Sequence, residues 1–217
     1  MSSHRIGNLT QRRERSKIVF TRLTARFPNV GTFLDHRNAF ELLIAVILSA
    51  QCTDARVNMV TPRLFEQFPT PSMLANAPIA QIESAIKSIN FFRSKSQRIK
   101  ETAQILCDRY QSCVPSQLND LIQLPGVGRK TANVVLGQAF GQPGITADTH
   151  VKRVSKRLGF TSHLDPVKVE FELMKVWDKS IWTDFSSILI LHGRETCHAR
   201  RPICESCILS DICPQAM

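Results

Sequence analysis

Leu124-Pro125-Gly126-Val127-Gly128-Arg129-Lys130-Thr131-Ala132 lies between two segments of helical periodicity, 116–123 and 129–140. Two glycines two residues apart permit a tight turn and close approach by another backbone. The start of the following helix turns unsatisfied N–H groups outward, so the turn can hold a phosphate without reading a base. A Gly-x-Gly alone also fits an ordinary corner between helices, with glycine at a cap.

On both sides of this turn the pattern stays helical. Segments 17–27, 40–51, 61–68, 79–89 and 96–110 carry apolar residues at three- and four-residue spacing. Pro69 and Pro71 end one segment. Pro115-Ser116 opens another with Ser116 as N-cap, and Asp165-Pro166 a third with Asp165 as cap and Pro166 at the first helical position. Segment 40–51 is apolar nearly all round, which predicts a buried central helix. Clean period-two alternation is missing, so the expectation is an all-α protein of about nine or ten helices.

The 217 residues include 28 Lys+Arg against 18 Asp+Glu, a net charge of +10. Such an excess suits a polyanionic partner, because cations that neutralise phosphates release counterions. No apolar run reaches the roughly 18–20 residues that span a bilayer. Residues 1–16 read as a mobile basic arm, with Arg5, Arg12, Arg13 and Arg15 but no apolar core of a secretory signal. A cytoplasmic, nucleoid-associated location with no membrane partner follows as the expectation.

Seven cysteines, an odd count, argue against a disulfide framework. Four of them form Cys197-x6-Cys204-x2-Cys207-x5-Cys213. Four thiolates this close fit either Zn²⁺ or an iron–sulfur cluster. The loop after the first, His198-Ala199-Arg200-Arg201-Pro202, carries two arginines suited to phosphates or to a solvated turn. Asp148, in Ala147-Asp148-Thr149-His150, reads as the N-cap of a helix over 149–158. A capping carboxylate still has a second oxygen to offer.

The whole 124–132 string resembles the helix-hairpin-helix of the endonuclease III superfamily of DNA glycosylases. The resemblance runs from about Ile18 to Cys213. It includes Leu42–Gln51, Thr53-Asp54, the Gly141-Gln142-Pro143-Gly144 stretch ahead of Asp148, and the order of the four cysteines. It implies two helical domains with a DNA-binding cleft between them. The six-helix hairpin domain would span 32–143, and a discontinuous iron–sulfur domain 17–31 with 144–217.

The resemblance further implies a [4Fe–4S] cluster on Cys197, Cys204, Cys207 and Cys213. The partner would be double-stranded DNA holding a damaged base or abasic site, met by a monomer with the nucleotide flipped out. Lys130 stands where bifunctional relatives carry a nucleophilic lysine, and Asp148 where they carry an aspartate that stabilises the cationic sugar. The chemistry implied is excision of oxidised pyrimidines, then β-elimination through a lysine Schiff base. Gly126, Gly128, Arg200 and Arg201 would grip phosphates. Gln51 would fill the space left by the flipped base, and Phe91 would act as the apolar wedge, commonly leucine in relatives.

The residue before the wedge is often glycine in relatives and is Asn90 here. Asparagine tolerates positive φ, so the turn is expected to survive. Three rival readings stand beside this one: a mismatch glycosylase of the same fold, a DNA-binding module without catalysis, and a structural zinc protein. Lys130 opposes a water-using mismatch enzyme, and Lys130 with Asp148 opposes a non-catalytic module.

Overall fold

The computed structural model describes residues 6–28 and 30–215, and among them no strand occurs. Eleven α-helices are present: α1 (Leu9–Arg26), α2 (Ala39–Ser49), α3 (Asp54–Gln67), α4 (Pro71–Asn76), α5 (Ile79–Ile86), α6 (Phe92–Tyr110), α7 (Leu118–Leu121), α8 (Arg129–Phe140), α9 (Thr149–Arg157), α10 (Pro166–Val176) and α11 (Trp182–Glu195), with a 3₁₀ turn at Lys179–Ile181. They gather into two compact units. One joins the chain up to Gly31 to everything from Pro143 onward; the other is Thr32–Gln142. Among the described residues no helix is long and apolar enough to cross a membrane.

The all-helical reading holds, with local differences that have physical causes. The basic arm expected over 1–16 is helix from Leu9 on, while Arg5 lies outside the described residues. A capping box starts α1: Gln11 N donates to Asn8 Oδ1 at 3.0 Å, and Asn8 N to Gln11 Oε1 at 3.0 Å. The arginines of this stretch bind the rest of their unit. Arg12 Nη1 donates to Phe160 O at 3.2 Å and Glu172 Oε1 at 2.7 Å; Arg13 Nε donates to Lys175 O at 2.9 Å, and Arg15 Nη1 to Leu158 O at 3.0 Å. Apolar periodicity marks this helix only from residue 17 on, because ahead of Ser16 it buries no residue.

Glu172 closes that network by also accepting from Thr161 Oγ1 at 2.6 Å. Burial works to raise its carboxyl, but the Thr161 hydroxyl and the Arg12 guanidinium outweigh it and hold the group below the usual carboxylate range. A carboxylate depressed in the folded state stabilises above its unfolded pKa and loses that contribution as pH falls through the folded one. Glu172→Gln should therefore cost about 2 kcal/mol near neutral pH, the scale of a charge-assisted hydrogen bond. Thermal melts should show the gap to wild type narrowing once pH drops below the reference value of 4.5. A gap constant with pH would mean that the charge contributes nothing.

Behind this network, Trp177 and Phe185 stack at 4.2 Å between ring centroids, and Phe160 stands edge-on to both at 6.2 and 6.1 Å. In the Thr32–Gln142 unit the core is built round α2, where every residue from Phe40 to Leu48 is buried. Pro71, expected only to end a helix, opens α4 at its first turn under a Thr70 cap. α3 starts early, at Asp54 under a Thr53 cap, and runs on through Pro62. α6 begins at Phe92, and α7 begins after Gln117, so Ser116 is not its cap.

Candidate active site

The 124–132 turn is held from inside its unit. Leu124 and Val127 are buried, and Val127 N donates to Leu124 O at 3.0 Å. Thr102 Oγ1 on α6 donates to Pro125 O at 3.2 Å. The two glycines serve different ends. Gly126 has φ +81°, and a Cβ there would meet Ile47 Cγ2 at 3.2 Å. Gly128 has an ordinary φ of −90° and is the N-cap of α8. A Cβ on it would meet nothing within 4 Å.

No side chain caps α8. Its first amides and the positive end of its dipole therefore form the kind of terminus that takes an anion. Lys130, the second residue of this helix, is exposed. Gly126→Ala should lower the melting temperature, at about 1–2 kcal/mol for a forced left-handed residue. Gly128→Ala should melt nearer to wild type, because its methyl would enter open space. An unchanged melting temperature in Gly126→Ala would mean that its left-handed backbone costs alanine nothing.

Gln51 and Phe91 are both exposed, Phe91 by 64% of its surface, so it is not a core phenylalanine. Both have left-handed backbones, φ 54° and 58°. Non-glycine residues there cost about 1–2 kcal/mol each. The positive φ expected at Asn90 thus falls on Phe91 itself. Asn90 plays another part: its Nδ2 donates to Gln51 O at 2.8 Å. Below it, Lys95 is buried and its Nζ donates to Leu48 O at 2.8 Å and Ala50 O at 2.6 Å, satisfying carbonyls at the end of α2. Sequence reading missed Lys95 and the partner of Asn90, since neither bond is local.

Asp148 belongs to the other unit. It caps α9 as expected, with Val151 N donating to Oδ1 at 2.7 Å, and it is half-buried. Burial lowers the pKa of His150 below the usual histidine value against the pull of Asp148, with Arg153 and Arg194 acting in the same sense as burial. Further along α9, Arg153 Nη2 donates to Gly193 O at 2.8 Å and to Cys197 O at 2.9 Å. Arg157 Nη1 donates to Cys197 Sγ at 3.2 Å and to His198 O at 2.6 Å.

The four cysteines of 197–213 line one cavity, walled by Val154, Leu158, His192 and Leu209. A single tetrahedral ion needs its sulfurs about 2.3 Å from one point. Among the described residues no three His, Cys, Asp or Glu side chains converge in that way. Thiols set around a shared space suit a polynuclear centre, with each sulfur on its own iron. The Arg157 guanidinium on Cys197 Sγ adds a charge-assisted bond for a ligating thiolate. Arg200 and Arg201 are exposed on the loop between the first two cysteines.

Comparison with known proteins agrees with this geometry. Residues 44–179 match the HhH-GPD superfamily of base excision DNA repair proteins, and 197–213 match the iron–sulfur binding domain of endonuclease III. The chain is 42% identical to endonuclease III of Synechocystis sp. over 212 residues, 97% of each protein. It superimposes on a non-covalent endonuclease III–DNA complex with a TM-score of 0.86 and 46% identity, covering 92% of this chain and 94% of that one. A trapped endonuclease III–DNA covalent intermediate gives the same TM-score of 0.86 and 46% identity, with 92% and 95% covered. The chain belongs to the endonuclease III family of that superfamily. It is a DNA glycosylase and AP lyase of base excision repair, with DNA as its partner and a [4Fe–4S] cluster as its cofactor.

Proposed function

We propose that the enzyme removes oxidised pyrimidines from double-stranded DNA and then cleaves the abasic site by β-elimination through a Schiff base on Lys130. The observation that carries this is the exposed Lys130 on the first turn of α8, a helix that no side chain caps, directly after the Gly126–Gly128 turn. A terminus that grips a phosphate brings the neighbouring sugar within reach of an amine on the same turn.

The neutral Lys130 amine attacks C1′ of the flipped nucleotide. The glycosidic bond breaks, and the base leaves with its electron pair and gains a proton. Asp148 opposes the positive charge that develops on the sugar as the base departs. Loss of the nitrogen's proton and opening of the ring give an imine. Removal of a C2′ proton then expels the 3′ phosphate, and water hydrolyses the imine to free Lys130. Gln51 fills the gap left by the flipped base while Phe91 wedges the stack. Arg200, Arg201 and the hairpin amides grip phosphates, which positions the duplex without reading its sequence.

Cys197, Cys204, Cys207 and Cys213 hold the cluster, which when bound is structural and fixes the arginine loop. Purified protein should be brown with about four irons per chain. Cys207→Ser should lose iron and colour while Cys107→Ser keeps both; full iron in Cys207→Ser would remove it from the ligand set. The enzyme acts as a monomer in the cytoplasm, on nucleoid DNA.

The substrate class is tested by a panel of duplexes with one lesion each, scored for base release and strand scission. Scission concentrated at oxidised pyrimidines is expected. Release of mismatched adenine or thymine without scission would assign the enzyme to a different branch of its superfamily.

A further inference from the structure

Two strained loops of the Thr32–Gln142 unit are joined by side-chain hydrogen bonds. Gln51 ends the turn after α2, and Phe91 immediately precedes α6. Both are exposed and both are left-handed without being glycine. Strain of this kind persists only where surrounding structure over-determines it. The surrounding structure here is specific. Lys95 N and Ser94 Oγ both donate to Phe91 O, at 3.0 and 3.1 Å. Buried Lys95 then carries its ammonium to the carbonyls of Leu48 and Ala50, at 2.8 and 2.6 Å. The first turn of α6 is thereby bolted to the end of α2. The last link is the amide of Asn90 on the carbonyl of Gln51, at 2.8 Å.

We infer that Asn90 is a positioning residue: it locks the Gln51 turn to the Phe91 turn, so that the gap-filling and wedging side chains enter the duplex as one preorganised unit. The inference rests on the roles proposed above for Gln51 and Phe91. Asn90 itself is exposed and its own φ is not positive, so its amide group, not its backbone freedom, is what the position uses. A link that spans 39 residues of sequence is also the element that a local turn preference cannot replace. Preorganisation of this kind removes an ordering step from base flipping and leaves phosphate binding untouched.

Asn90→Leu keeps the size of the side chain, adds no charge and removes the donor. The probe is a duplex with one thymine glycol opposite 2-aminopurine, whose fluorescence rises when the orphaned base unstacks. Asn90→Leu should slow both that rise and single-turnover excision about tenfold, within the range that misplacing a group by about an ångström costs. Affinity for undamaged duplex and melting temperature should match wild type. In a Gln51→Ala background, where no gap-filling side chain remains to be held in register with Phe91, Asn90→Leu should have little further effect.

Wild-type rates in Asn90→Leu, with Gln51→Ala slow, would overturn this inference alone. Effects that multiply in the double variant would also overturn it, because Asn90 would then act independently of Gln51. Wild-type rates in Gln51→Ala itself would remove the proposed role of Gln51 and this inference with it.

Discussion

Lys130→Gln is expected to retain fold and DNA affinity while losing strand scission at abasic sites by a factor on the order of 10³ or more, the scale on which a missing nucleophile is felt. The fold should survive because Lys130 is exposed on α8, and glutamine is nearly as good a helix former as lysine. The proposed grip on phosphate should survive because it rests on backbone at Gly126–Gly128 and on the helix end, none of which the substitution alters. What disappears is the amine. An amide nitrogen does not form an imine with C1′, so the lyase step has no route through this position. Base release should fall less than scission, since a flipped and polarised nucleotide can still be attacked by water. A variant that cut abasic DNA at the wild-type rate would place the nucleophile elsewhere.

Asp148→Asn separates charge from structure. The aspartate caps α9 through one oxygen, with Val151 N at 2.7 Å, and asparagine caps equally well. Stability should therefore change little. The negative charge is removed, and with it the proposed opposition to the cationic sugar during base departure. Excision should slow by about 10²-fold or more, as for one lost preorganised electrostatic contact. The lyase step on ready-made abasic DNA should suffer less, because no base has to leave. Loss of the Asp148 charge should also lower the pKa of His150 further, since Asp148, with the Gly193 backbone, raises it against burial. Equal slowing of both steps, with an unfolded α9, would reduce Asp148 to a cap.

The parts of this site that were legible in sequence are those fixed by neighbours along the chain. The 124–132 string, Asp148 ahead of its helix and the spacing of the four cysteines all declare themselves locally. The illegible parts are long-range. Arg12 reads as a cation in a basic run, and only the fold brings it to Glu172, 160 residues away. Asn90 reads as a substitute for glycine, yet the backbone places the positive φ one residue on and gives the asparagine a partner from another helix end. Lys95 looks like one more surface lysine, but it is buried on two carbonyls. Pro71 carried a sound local signal that was misassigned: the same ring that cannot continue a helix is pre-set to open one, and Thr70 before it is a good cap.

Borohydride trapping reads out whether the Lys130 amine becomes covalently attached to the sugar. Reduction of the imine leaves a permanent link between enzyme and DNA, which proteolysis and mass spectrometry then assign to one residue. Wild type should give a trapped band on abasic duplex with the adduct on Lys130, and Lys130→Gln should give none. A Lys130→Gln protein trapped at the wild-type rate, or an adduct mapping to any other amine, would contradict the account.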